Sequence, residues 1–275
     1  MTKMRLAVVQ PVAHRRPDDV GNTVEAVGHI HAALAAEADV VVFPETYPGP
    51  LGMPARFDPE PELLAAAHDC GVYVVYGTLE PTGSDPRSAY NLICLATPSG
   101  ERAVSYRRTH PPGPWIYSSG KPWDFDYVTG SEFPVFHTEH GVFGFAMCSE
   151  VYVPEVSRAL ALQGAEVLFI PAGTDKLRLW ETWRTLIWAR AIENLAIVVT
   201  TQNIYSHEDR GLAMVATPEE VVLESTCSGV FYVDVDLERV RRLRAEVDGA
   251  TSGQRNAVKA GLLSQWQRPE LYERM

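Results

Sequence analysis

The apolar positions of this chain fall into short continuous runs separated by longer stretches with a helical repeat. Arg5 to Gln10, Asp39 to Phe43, Val72 to Tyr76, Asn91 to Ala96, Val142 to Met147, Val167 to Ile170 and Ile197 to Thr200 are each too short for a helix. They read as strands, and Asp39 to Phe43, with Val-Val-Val-Phe, is of the kind buried on both faces. Ala103 to Tyr106 and Val135 to His137 add two strands, and Leu212 to Ala216 and Val221 to Glu224 flank a turn over 217–220. Val230 to Val235 alternates as a half-exposed strand does. Between the early runs, Pro17 opens a helix with acidic residues in its first turn and Val20, Val24, Val27, Ile30 and Leu34 on one apolar face. Pro59 to Cys70 is a second helix, with Leu63, Leu64 and Ala67 inward. A short one follows Pro154 and stops at Gly164, Trp180 to Asn194 is a long one, and Asp236 to Arg244 begins a charged one.

Strand and helix therefore alternate, in two similar halves, which is the grammar of an α/β protein. No linker, low-complexity tract or repeat of solenoid period divides the chain. One domain over 1–275 is expected, with a tail from about 249 to 275 whose Trp266, Leu271 and Tyr272 dock on the core or on a partner subunit. The stretch from Pro111 to Gly130 carries Pro, Gly, Trp115 and Trp123 with little periodicity. An aperiodic segment of that length inside a compact domain reads as the lid or mouth of a site.

Composition narrows the classes. Hydrophobic residues make up 46% of 275 and charged residues 21%, enough for a sizeable core. The formal net charge of −11 leaves no basic patch for phosphates, so nucleic acid is excluded as a partner. No run is long enough to span a membrane, and the first residues lead straight into a strand with no leader pattern. The four cysteines, Cys70, Cys94, Cys148 and Cys227, lack the spacing of a disulfide scaffold or zinc site. A reduced, cytoplasmic protein without metal or organic cofactor is expected.

Candidate chemistry sits at strand ends. The run from Val142 ends abruptly on Cys148, followed by Ser149, Glu150 and, after Val153, a helix opened by Pro154. A cysteine in such a turn lies where backbone N–H groups lower a thiol pKa and bind an oxyanion. By itself such a cysteine is more often a small core residue, as Cys70, Cys94 and Cys227 are expected to be. Glu45, just past Val42-Phe43-Pro44, is delivered to the same rim. A carboxylate there is a general base or a solvated loop residue.

The order of motifs resembles the nitrilase, or carbon–nitrogen hydrolase, superfamily from Leu6 to Tyr272. Val42-Phe43-Pro44-Glu45, Tyr90-Asn91, Tyr106-Arg107-Arg108-Thr109-His110 and Cys148-Ser149-Glu150 carry the resemblance. So do Pro154-Glu155 with Arg158, Gly164 to Pro171, Trp183, Ala189 to Asn194, Asn203 and Arg268 to Tyr272. The resemblance implies a four-layer αββα sandwich and a small-molecule amide, carbamoyl or nitrile substrate. It further implies a homodimer or larger homo-oligomer. It makes Cys148 the nucleophile that forms a thioester or thioimidate, Glu45 the proton shuttle, and the Ser149 backbone N–H an oxyanion donor. Glu150 falls where amidase-like members mostly carry Asp and where nitrilases and some acyl-transferring members carry Glu. With Ser149 and Glu150, Trp123, Asp124 and Thr174 complete the candidates for oxyanion and substrate contacts. Glu155, Arg158, Arg190 and Glu193 read as structural ion pairs, and Trp183 as core.

The sequence departs from that family at its lysine, whose position is occupied by Arg108. Arginine is longer, planar and permanently charged, so it can hold an oxyanion but cannot pass a proton. The family's second glutamate is also not evident; Asp124 and Asp126 are the nearest acids, and Lys121 or Lys176 are candidates to replace the ammonium. Three readings follow: a hydrolase adjusted to Arg108, a relative diverted to acyl transfer or another biosynthetic C–N reaction, and a non-catalytic member used for binding or assembly. The retained Cys148 and Glu45 speak against the last.

Overall fold

The computed structural model describes residues 3–83, 85–111, 125–173, 179–246 and 258–272. Lys3–Gln10 (β1), Val40–Val42 (β2) and Tyr73–Pro81 (β3) are parallel neighbours. Their connections are the helices Gly21–Ala35 (α1) and Glu60–Cys70 (α2). Ser88–Ala96 (β4) and Arg102–Arg107 (β5) extend this first sheet antiparallel, and Asp126–Val128 (β6) adds to β4 in parallel. The second sheet runs through Val135–His137 (β7), Val142–Phe145 (β8), Val167–Phe169 (β9), Ile197–Thr200 (β10), Ala213–Ala216 (β11) and Val221–Ser225 (β12). Its crossovers are a 3-10 turn at Cys148–Tyr152 followed by Pro154–Leu162 (α3), and Trp180–Asn194 (α4). Gly229–Asp236 (β13) returns to pair antiparallel with β1. Two sheets face each other with helices outside both, an αββα sandwich.

The continuous apolar runs are explained by this layering, because each central strand is covered twice. Leu6 and Val8, Val40 and Val42 enter the core between the sheets. Their alternate neighbours Ala7 and Val9, Val41 and Phe43 pack under α1 and α2. Aromatic contacts cross the inter-sheet core, with the rings of Tyr73 and Phe143 edge-to-face at 6.0 Å.

The structure corrects the reading of α1. The helix begins at Gly21, not in the Pro17 turn, and Asp19 is buried against Arg56 instead of capping it. Its inward face is Asn22, Thr23, Ala26, Ile30 and Ala33, whereas Val20, Val24 and Leu34 are exposed. Two stripes of helical spacing overlap here, and the tight helix–sheet contact selects the one with smaller side chains. Asn22 is admitted because its amide is satisfied, bonding the backbone of His14 and Pro48. β6 was not anticipated inside the aperiodic segment.

Leu237–Ala245 (α5) starts on an Asp236 side-chain cap. The short helices Leu262–Gln265 (α6) and Pro269–Tyr272 (α7) follow. Ala260 and Leu262 pack with Leu195 and Leu243, so this part of the tail lies on α4 and α5, whereas Trp266 and Leu271, expected to dock, are exposed. Among the described residues no helix is long and apolar enough to cross a membrane.

Candidate active site

Glu45 follows β2, Arg108 follows β5 and Cys148 follows β8, so one rim of the sandwich receives all three. Each arrives through constrained backbone. Cys148 itself has φ of 51°, a left-handed conformation uncommon for a residue with a side chain and often found at reacting positions. Its N–H is fixed by the carbonyl of Pro171 at 2.9 Å. Thr46, next to Glu45, is also left-handed at 54°. The turn it makes lies directly on Gly77, where a Cβ would come within 2.1 Å of the Thr46 nitrogen. Only glycine allows that approach. Gly130 does the same for the arginine loop: its N–H donates to the Arg108 carbonyl at 2.8 Å, and a Cβ there would meet the Arg107 carbonyl oxygen at 2.2 Å.

The side chains converge. Arg108 is 2% exposed and its guanidinium divides its donors, Nη1 to Glu45 Oε1 at 2.9 Å and Nη2 to Ser149 Oγ at 2.5 Å. Its Nε donates to the carbonyl of His110. Burial works against the charge on Arg108, but Glu45, Cys148, Tyr127 and Glu150 outweigh it and raise the pKa above the ordinary arginine value. The site therefore holds a permanent cation beside the thiol. Glu45 also accepts from Asn91 Nδ2 at 2.9 Å and from the Gly173 N–H at 2.7 Å. The carboxylate is thus held at both oxygens.

Glu150 is fully buried. Its Oε1 accepts from the N–H groups of Thr109 and His110 and from the Thr109 hydroxyl. Its Oε2 accepts from the Met147 N–H, and the Tyr106 hydroxyl reaches both oxygens. This carboxylate ties the arginine loop to the nucleophile turn, and the contacts it makes among the described residues are bracing ones.

Tyr127 and Asn91 are the residues that sequence reasoning did not assign. The Tyr127 ring lies 5.8 Å from the Arg108 guanidinium carbon, and Asn91 Nδ2 approaches its hydroxyl at 3.5 Å. Burial, then Glu45, push its pKa up while Arg108 opposes them, so the phenol stays neutral. Asn91 is itself oriented by the Thr46 hydroxyl, which donates to its Oδ1 at 3.2 Å. A buried asparagine inside an apolar strand was the available signal for it. Asp126 is exposed and pairs with Arg87 at 3.7 Å, away from the site. Trp123, Asp124 and Thr174 lie outside the described residues, as do Trp115, Lys121 and Lys176. Arg190 pairs with Glu193 at 2.6 Å and donates to the Val151 carbonyl, which buttresses the nucleophile turn from α4. Among the described residues no group of three or more metal-ligating side chains forms.

A carboxylate, a cation and a thiol meeting at strand ends of two facing sheets define a candidate site for cysteine-based acyl chemistry. The carbon-nitrogen hydrolase model matches residues 5–245, and the chain belongs to that family. Among similar proteins, an (R)-stereoselective amidase from Pseudomonas sp. is 30% identical over 260 residues, 89% of each chain. A deaminated glutathione amidase from Synechocystis sp. is 29% identical over 176 residues, 61% of this chain and 65% of that protein. The chain thus spans just under two thirds of the length of that glutathione amidase. The fold is shared with an amidase from Nesterenkonia sp., of the nitrilase superfamily (TM-score 0.78, 21% identity, 98% of this chain and 96% of that one). That structure carries the acetamide moiety of fluoroacetamide added covalently at its active-site cysteine.

Proposed function

We propose that this protein hydrolyses the C–N bond of a small amide-type substrate, amide, carbamoyl or nitrile, through a Cys148 thioester-type intermediate. The observation that carries the reading is the buried guanidinium of Arg108, ion-paired to Glu45 and charge-coupled to Cys148 at one rim. For an amide, Glu45 takes the thiol proton and the Cys148 sulfur bonds to the carbonyl carbon. Arg108 and the Ser149 backbone N–H stabilise the tetrahedral oxyanion. When the C–N bond breaks, Glu45 returns the proton to the departing nitrogen. Water then attacks the thioester, losing a proton to Glu45, and the acid leaves as Cys148 recovers its own. Arg108 cannot lose a proton under these conditions, so every proton transfer falls to Glu45, which Asn91 and Gly173 hold in place. We further propose that the chain acts as one catalytic unit and assembles as a homo-oligomer in the cytoplasm.

Intact-protein mass spectrometry after mixing with primary amides, N-carbamoyl compounds and nitriles tests the reading. An acyl adduct, or product release, is expected for the parent and absent in Cys148→Ala. Equal turnover by Cys148→Ala refutes the covalent mechanism. An adduct that persists until an amine is added would move the assignment to acyl transfer.

A further inference from the structure

The shortest side-chain bond in the site is one that the mechanism above leaves unused. Arg108 Nη2 lies 2.5 Å from Ser149 Oγ. A guanidinium only donates, so the serine oxygen is the acceptor and its own proton points elsewhere. Ser149 is 7% exposed, and among the described residues no acceptor lies within hydrogen-bond reach of that proton. The hydroxyl belongs to the residue directly after Cys148, and the guanidinium it accepts from is charge-coupled to that thiol. It is flanked on its other side by a cation that stays charged.

We propose that the Ser149 hydroxyl is a catalytic oxyanion donor, polarised by Arg108, so that the arginine acts on the reacting oxygen partly through this serine. The inference rests on the thioester reading of Cys148. Its physical basis is cooperativity: a hydroxyl that accepts a charge-assisted hydrogen bond becomes a stronger donor. An arginine split between Glu45 and Ser149 is then not a misplaced lysine. Its length lets it hold the general base with one nitrogen and energise a donor with the other. No proton is transferred by the serine, which gives a hydrogen bond as negative charge develops on the substrate oxygen and releases it when the tetrahedral species collapses.

The test uses two probes on the parent, Ser149→Ala and Ser149→Thr, with melting curves to confirm folding. p-Nitrophenyl acetate acylates a thiol through a tetrahedral oxyanion, whereas iodoacetamide alkylates it by direct displacement at carbon and forms none. Ser149→Ala is expected to slow p-nitrophenolate release by about 100-fold, the usual effect of losing one oxyanion donor. Iodoacetamide alkylation of Cys148 should stay within about twofold, the lost donor having no part in that step. Ser149→Thr, which keeps the hydroxyl, should recover most of the acylation rate. In an Arg108→Lys background the alanine substitution should cost less than in the parent, since the polarising donor has been changed. Acylation by Ser149→Ala at the parental rate overturns the proposal, and so does an equal loss of acylation and alkylation, which would place the serine's effect on the thiol. Acylation of the parent by the ester but by no amide would defeat the hydrolase assignment and leave the serine's role to be read from the ester alone. A parent acylated by neither overturns both.

Discussion

Glu150→Gln separates a structural carboxylate from a catalytic one. The side chain is isosteric, but it exchanges one acceptor oxygen for a donor among groups that all donate. Turned one way, its NH2 confronts the N–H groups of Thr109 and His110; turned the other, it confronts the N–H of Met147. The second orientation is less costly, since the Tyr106 hydroxyl can reverse and accept. One buried backbone N–H is then left without an acceptor, at about 1–3 kcal/mol, and the remaining bonds lose the benefit of a charged partner. Relief of the buried charge offsets part of this, leaving about 3 kcal/mol. At roughly 2–4 °C per kcal/mol for a chain near this size, Tm should fall by about 6–12 °C in a circular-dichroism melt. Because the freed loop carries Arg108, acylation of Cys148 should slow by more than about tenfold even well below the melt, since small misplacements of catalytic groups are costly. A Glu150→Gln protein that melts within about 2 °C of the parent and acylates at the parental rate would refute the bracing role, because the loss of one buried acceptor alone predicts more.

Two other outcomes follow from the same geometry. Arg108→Ala leaves Glu45 buried without its cation and should cost about 3–5 kcal/mol in urea denaturation, with most activity lost. Arg108→Lys should keep more of both, and an alanine variant as active as the parent would show that Arg108 does not stand in for the family's lysine. Gly77→Ala pushes on the Glu45–Thr46 turn from 2.1 Å; about 1–3 kcal/mol of stability and about 100-fold in rate should be lost together, and a variant with unchanged kinetics would contradict the close approach.

The strand ends were legible because apolar runs stop abruptly, and a polar or charged residue at such a stop has nowhere to point but the rim. That brought out Glu45 and Cys148 as candidates, and the Tyr106 to His110 motif brought out Arg108. Asn91 was less visible, because its value lies in contacts with residues 46, 45 and 127, none of them near in sequence. Tyr127 sits on a three-residue strand with no periodicity of its own, held by pairing with β4. In α1 the pattern misled, since a satisfied asparagine broke the buried stripe and exposed valines completed a false one. Glu150 is a candidate in the sequence because it neighbours the nucleophile; that it also braces the arginine loop shows only in its five donor groups, four of them some forty residues away.

The rim that holds the candidate site is also where the two sheets are joined. The Thr201 hydroxyl donates to the Val9 carbonyl at 2.7 Å, Asn203 Nδ2 to the Glu45 carbonyl at 2.7 Å, and the Glu45 N–H to the Ala172 carbonyl at 3.2 Å. Glu45 and Arg108 ride on one sheet and Cys148 on the other, so the distance from base to nucleophile measures the alignment of the two layers. A slip of one layer against its partner would disarm the site while both layers kept their own strands paired. The sandwich thereby couples catalytic competence to the registry of its two layers, and a substitution in the distant inter-sheet core that shifts one layer acts on the chemistry without touching the site.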